Sequence, residues 1–449
     1  MTDLREREGE LRDRVTAILE EAKRQGSAAA EVSAGEYRGL AVSVRKGELE
    51  NVEFNRDRGF SLTVYVAGEH GLQKGSASTS DVRTESIQAM VAAALNLARN
   101  TEADRYAGLP DVSEQATAFP DLDLFHPWQV ETDAVVELAQ RCEAAGLAED
   151  ARIGNSDGAQ ANTQQACQVF GNSQGFLGAQ SGTRHSLSCV LIAEANGAMQ
   201  RDYWYDTGRH PEVLADPESI GKQAAVRTLR RLDPRSVTTG KWPVVFAPVV
   251  AAGLVGHVMS AIAGGAVYRK ASWLHDALGT EALAAHLSIH EDPLRSRGVG
   301  SAAFDSEGVA TRAKQFVANG VIESWMLSSY SARRLGMATT GNAGGAHNLR
   351  LTGRTLPAAE LLREVGTGLY VTELMGQGVN GVTGDYSRGA SGFWIENGEL
   401  AYPVDNVTIA GNLKEMLKQV EALGDDVDRR GNTQAGSVWI RQMTVAGGT

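Results

Sequence analysis

Cysteine is scarce in this chain, with Cys142, Cys167 and Cys189 the only three among 449 residues. Three thiols cannot all pair with one another and no C-x-x-C spacing occurs, which excludes a fully paired disulfide framework and fits a reducing compartment. Proline is also rare, with eleven residues against fifty glycines. No G-X-Y period accompanies the glycines, so they imply tight turns and bulges, and hence many strands. Positive charge is short overall: the formal net charge is −12. The densest basic stretch, 227–235, holds Arg230 and Arg231 within a helical pattern and reads as a solvated helix face. A phosphate backbone needs a more concentrated positive surface, so no direct nucleic-acid partner is expected. Long apolar runs are missing too. No segment approaches the roughly 20 apolar residues that span a bilayer. The opening MTDLREREGELRDR is charged and lacks a signal-type apolar stretch. A soluble, cytoplasmic protein without a membrane partner is expected.

What remains is ordinary globular material, 42% apolar and 22% charged. At roughly 150 residues per domain, the length suggests two or three. The spacing of Leu4, Leu11, Val15, Ile18 and Ala22 predicts an amphipathic helix. Alternating strands follow from Ala30 to Thr79, with a turn at Lys46-Gly47. A helix capped by Asp81 then carries Ile87, Met90, Val91, Ala94 and Ala98. These make a first α+β region, 1–105, and a proline-marked linker, 106–125, follows. The middle region, 126–235, repeats the plan: a helix near 133–146, strands over 153–205 and a helix over 217–232. The turns expected at Phe54–Phe60 and Phe170–Phe176 resemble each other and hint at a weak duplication. A β-rich region, 236–449, opens with a strand over 242–247 and a helix begun by Pro248. Further helices are expected at 358–365 and 412–423, the second with a capping box of Asn412 and Glu415. Without βαβ regularity the fold class is α+β, with glycine-rich mixed and antiparallel sheets flanked by helices.

Four stretches could carry chemistry. Gly171-Asn172-Ser173-Gln174-Gly175 matches a nucleophile elbow, but strand or loop follows where the elbow needs a helix, so a hairpin turn is the better reading. His286 and His290 with Glu291 and Asp292 are the densest potential metal ligands. Leu287 and Ile289 alternate with them, and the segment reads as a partly exposed strand at a solvated edge. His257 lies on an apolar helix face, as a core histidine would. Beside it Gly253, Gly256, Ser260 and Gly264 form a small-residue stripe that would let another backbone approach. The block 376–394 is the most unusual. It could form an exposed groove offering Tyr386, Arg388 and Trp394 for peptide or partner contact, or tight turns between core strands. No phosphate-loop motif occurs.

Within that block, Thr372-Glu373-Leu374-Met375-Gly376-Gln377-Gly378, Gly384-Asp385-Tyr386-Ser387-Arg388-Gly389-Ala390 and Gly392-Phe393-Trp394 look like PmbA/TldE proteins of the TldD/PmbA family. So do Phe304-Asp305-Ser306-Glu307-Gly308, Ser329-Tyr330-Ser331-Ala332-Arg333 and Ile409-Ala410-Gly411-Asn412-Leu413. The resemblance runs over nearly the whole chain and is strongest after Trp242.

It implies a TldD-like zinc-protease partner whose H-E-x-x-x-H helix and a later cysteine bind the metal, the glutamate acting as general base on bound water. Here the corresponding helix is Pro248 to Gly265, aligned on Tyr268-Arg269-Lys270. Gly256 and Ala261 stand where the metal histidines would be and His257 where the glutamate would be. The resemblance therefore implies a subunit with no catalytic residues, metal or cofactor of its own, zinc residing in the partner. Together the two would act on unfolded or extended peptides, and a homodimer could form when the chain is alone. Two alternatives stay open: a metallopeptidase using His286, His290 and Glu291, and a non-proteolytic regulator of DNA gyrase.

Overall fold

The computed structural model describes residues 4–447; the outermost residues of the first and last regions, 1–3 and 448–449, lie outside them. The first region runs α1 (Glu8–Arg24), β1 (Ala29–Arg45), β2 (Glu48–Gly68), β3 (Gly71–Thr79) and α2 (Thr84–Arg99). The middle region runs α3 (Thr132–Leu147), β4 (Asn155–Asn172), β5 (Leu177–Ala195), β6 (Ala198–Gly208) and α4 (Pro217–Arg230). Their six strands form one antiparallel sheet in the order β3-β2-β1-β4-β5-β6. Two three-stranded meanders thus meet along β1 and β4, each bracketed by two helices. The helices cover one face, and on part of the other Gln180 donates to the Ser301 carbonyl at 2.9 Å.

Two cores lie under those helices. Val15, Ile18, Val91 and Leu95 pack with Val32, Leu62 and Val64 beneath α1 and α2. Val135, Ala139, Ile220 and Ala224 pack with Val42, Leu187 and Leu191 beneath α3 and α4. The α3–α4 crossing depends on glycine: a Cβ on Gly221 would stand 1.9 Å from the Cys142 carbonyl oxygen. Any side chain there would force the helices apart. The two halves are also tied by Glu143. Its buried carboxylate accepts the backbone N–H groups of Lys46 and Gly47, at 2.9 and 2.8 Å. Both turn residues have positive φ, 54° and 79°, as a type I′ hairpin requires.

Some expected boundaries move. Phe54–Phe60 is not a turn: β2 runs straight through it, with Gly59 opposite Gly35 of β1. The turn pair behind the proposed duplication is therefore absent, although both halves share the order helix, three strands, helix. Helix α2 starts at Thr84, and Asp81 instead accepts from Arg83 N–H and Ser86 Oγ.

The last region continues with β7 (Gly240–Phe246), α5 (Pro248–Ala261), α6 (Gly264–Tyr268), β8 (Ser288–Glu291), β9 (Lys314–Ala318), β10 (Val321–Ile322), α7 (Ser329–Leu335), β11 (Leu349–Thr352) and β12 (Thr355–Leu356). Then follow α8 (Ala358–Val365), β13 (Gly368–Met375), β14 (Asp385–Glu396), β15 (Glu399–Asn412), α9 (Leu413–Lys418), β16 (Val420–Gly424), β17 (Thr433–Gln434) and β18 (Val438–Ala446). A seven-stranded sheet runs β12-β16-β18-β15-β14-β13-β7, and β18 also pairs with β7, so the sheet closes on itself. A five-stranded sheet, β10-β9-β8-β11-β17, packs beside it. The helix expected over 412–423 splits: α9 stops at Lys418 and residues 420–424 form β16. Asn412 caps α9 by accepting from Lys414 N–H, at 3.1 Å.

The linker carries one 3-10 turn, Val112–Glu114, and is anchored by α7. Arg333 donates to the carbonyls of Tyr106, Gly108 and Leu109 at 2.8, 2.7 and 2.9 Å. Tyr330 Oη donates to Asp104 at 2.6 Å.

Candidate functional site

Strand β7 leads through Ala247 into α5, where Pro248 fills the first turn and its missing N–H costs no helical bond. Ala251, Leu254, Val255, Val258 and Met259 recur at three- and four-residue spacing and are buried. Gly253, Gly256 and Ser260 face outward. A Cβ built on Gly253 or Gly256 meets nothing within 4 Å, so about two turns of helix offer nothing larger than a serine to an approaching molecule. Gly264 departs from that stripe, because a Cβ there would lie 2.3 Å from Ser331 Oγ.

His257 sits half-buried at the border of this bare face. The Tyr386 ring stands edge-on to it, 5.9 Å between centroids, and edge-on to Phe246 at 6.5 Å. Burial, with the Arg388 guanidinium nearby, lowers the imidazole's pKa below its ordinary value. Burial pushes the Tyr386 phenol up to about 12, and its hydroxyl has no hydrogen-bond partner. Arg388 is half-buried and donates to the Met375 carbonyl at 3.3 Å.

The exposed-groove expectation for 376–394 is corrected by this packing. Tyr386 and Trp394 are core residues, 2% and 7% exposed, and Trp394 packs edge-on against Trp242 at 5.1 Å. Hydrophobic burial of both rings outweighs any exposure the flanking glycines suggested. Of the three side chains, only Arg388 retains access to the surface.

A zinc ion requires three or four nitrogen, sulfur or carboxylate donors in tetrahedral array. Around α5, Gly256 and Ala261 supply none and His257 supplies one imidazole. The nearest polar neighbours are a phenol that stays protonated and a cation that would repel the metal. This donor set does not fit zinc.

The other histidine set is also dispersed. Strand β8 lies inside its sheet, between β11 and β9, so the solvated-edge reading is corrected. His286 contacts the Val420 carbonyl through Nε2 and accepts from Arg354 N–H at Nδ1, 2.9 and 3.1 Å. His290 Nε2 meets Thr352 Oγ1 at 3.0 Å, and its Nδ1 meets Gln315 at 3.1 Å. Glu291 points the other way into the interior, held by Lys314 at 2.5 Å, Asn342 at 2.9 Å and His347 at 3.1 Å. Among the described residues no three of His, Cys, Asp and Glu are grouped as a metal would need. Ser173 sits in the β4–β5 hairpin, where its Oγ accepts from Ala30 N–H at 3.0 Å. That is a turn, as expected.

Sequence reasoning missed the arginines of α4. Arg227 and Arg231 reach Asp202 of β6 at 3.2 and 3.9 Å, and Arg231 reaches Glu373 of β13 at 2.6 Å. Arg231 thus bridges the middle and last regions, Arg227 is tied within the middle one, and Arg230 stays exposed, so the run is only in part a solvated face. Its spacing of three and four residues, which places these side chains on one side of the helix, was the available signal.

Models of the three PmbA/TldA metallopeptidase domains match in order: domain 1 at residues 30–98, the central domain at 125–232 and the C-terminal domain at 239–447. The chain is 49% identical over 437 residues to Metalloprotease PmbA of Escherichia coli O157:H7, covering 97% of this chain and 96% of that one. A Bacteroides thetaiotaomicron structure, solved as a candidate modulator of DNA gyrase, superposes with a TM-score of 0.91 at 26% identity, covering 97% of this chain and 98% of that one. TldE from Thermococcus kodakarensis shares the fold, with a TM-score of 0.81 at 19% identity and coverage of 97% and 100%. No helix among the described residues is long and apolar enough to cross a membrane.

Proposed function

Because the chain belongs to the PmbA/TldA metallopeptidase family, we propose that it is the non-catalytic subunit of a two-subunit zinc protease, paired with a TldD-like chain that holds the metal. The observation that carries this reading is α5. The helix is present and well packed, yet its ligand positions are Gly256 and Ala261, and its outward face is bare backbone around Gly253, Gly256 and Ser260. Such a face suits close packing against a partner. The helix-free face of the six-stranded sheet supports a role in holding substrate. Tyr37, Asn162, Gln164, Ser186 and Thr207 line a polar hollow there of about 640 Å³. An extended, unfolded peptide meets hydroxyl and amide groups along it and no deep specificity pocket, which favours weak dependence on sequence.

The test is reconstitution. Each purified chain alone should leave an unstructured peptide intact, and the mixture should cleave it with one zinc traced to the partner. Stoichiometric zinc and cleavage by this chain alone would overturn the reading. Direct gyrase binding by the lone chain, without co-purification of a TldD-like protein, would favour the regulator instead.

A further inference from the structure

Between the middle region and the closed sheet lies a cavity of about 470 Å³. Trp204, Tyr370, Phe393 and Leu400 give it an apolar wall. Its charged lining inverts the character of the chain: four arginines face three aspartates in a protein of net charge −12. The aspartates are already engaged. Asp202 is paired with Arg227 at 3.2 Å, Asp428 takes Arg430 at 2.9 Å, and Asp426 accepts from Ser437 N–H and Oγ at 2.8 and 2.7 Å. Arg230 has no carboxylate partner among the described residues and lies over the Phe393 ring at 4.8 Å. Arg227 Nε is buried with no partner at all. The first turn of α5 also borders the cavity, with no side-chain cap and no acidic residue.

We propose that this cavity binds a carboxylate carried on an apolar body, the acid against Arg230 and the body against Trp204 and Phe393. An arginine with spare donors over an aromatic wall matches both parts of such a ligand. A cavity of this size admits one or two amino-acid residues. The ligand could be a free small acid or the C-terminal residue of a peptide, and the shared chemistry is the same. The site does not depend on the subunit reading, since every contact comes from this chain.

Calorimetric titration of the full chain tests it, using N-acetyl-phenylalanine and its amide, and a hexapeptide ending in phenylalanine as acid and as amide. The acids are expected to saturate, with the amides and the Arg230→Gln chain binding at least roughly tenfold more weakly. Arg230→Glu should abolish binding. Because Arg230 is exposed, both variants should keep the parent's melting temperature. Saturation by N-acetyl-phenylalanine alone assigns a free acid, and saturation by the hexapeptide acid assigns a peptide terminus. Equal binding of acid and amide, unchanged binding by Arg230→Gln, or no saturation up to roughly 10 mM would each overturn the proposal.

Discussion

The ring of Tyr386 meets that of His257 edge-on at 5.9 Å, and the Tyr386 hydroxyl is buried without a hydrogen-bond partner among the described residues. A buried hydroxyl without a partner costs about 1–3 kcal/mol relative to its state in water. Tyr386→Phe keeps the ring contacts with His257 and Phe246 and removes that cost. It should raise stability by roughly 1 kcal/mol, whereas Tyr386→Ala should lose about 3–5 kcal/mol by opening a core cavity. Urea denaturation of both variants checks this, and a marked loss in Tyr386→Phe would show that the hydroxyl has a partner.

His257 makes the chain acid-sensitive. Burial first, and Arg388 second, lower its pKa in the folded state. The unfolded chain therefore binds the proton more readily. Stability is full above the ordinary histidine pKa near 6.5 and falls as pH drops through that value toward the lower folded one. His185, also depressed mainly by burial, adds to the trend. Melting temperature should fall between about pH 7 and pH 5, and His257→Gln should flatten part of the slope. An unchanged slope in that variant would remove His257 as a cause.

Glu291 lies fully inside the last region with Lys314 as its counter-ion at 2.5 Å. Burial alone would raise its pKa, but His347 and Lys314 together hold it below the ordinary value. Removing one partner of a buried pair costs about 3–5 kcal/mol, because the other charge is stranded. Glu291→Gln should show a loss of that order, and the double change Glu291→Gln with Lys314→Met should recover part of it. The equilibrium unfolding free energies of the parent and the two variants decide the matter.

These three positions show how far sequence carries and where it stops. The helices α1, α3 and α4 follow from apolar spacing because each buries a single stripe against one sheet. The split of 412–423 into α9 and β16 does not, since β16 exists only through its pairing with β18. Long-range pairing overrides local propensity there. Likewise, 54–60 reads as a turn from its polar residues and glycine, and only its register against β1 makes it strand. At the site, the missing ligand atoms at Gly256 and Ala261 are plain in the sequence. The burial of Tyr386 and Trp394 is not, because their partners Phe246, His257 and Trp242 lie more than a hundred residues away. The contacts of Arg230 with Phe393 and of Arg231 with Glu373 were hidden for the same reason.

Arg333 holds the linker by donating to three of its carbonyls. A planar guanidinium can serve all three at once, and a lysine ammonium lacks that geometry. Arg333→Lys should leave the cores intact while freeing the segment around 104–118. Limited proteolysis should then cut within that segment several-fold faster than in the parent, at unchanged global stability. Equal cutting rates would mean that Tyr330 and Asp104 suffice.

Gly256→Leu separates folding from pairing. The position is exposed and a Cβ there meets nothing within 4 Å, so the chain has room for the larger residue. Leucine also favours a helix interior over glycine by roughly 0.8 kcal/mol. The isolated chain should therefore be as stable as the parent or slightly more so. If the bare face of α5 is the contact with a TldD-like subunit, the added isobutyl group holds the backbones apart. Complex formation should then weaken by at least roughly tenfold. Size-exclusion chromatography of the mixed subunits, with melting curves of the lone variant, reads both quantities. Intact assembly would place the contact elsewhere on the chain. A destabilised monomer would instead show that Gly256 is needed for the fold itself.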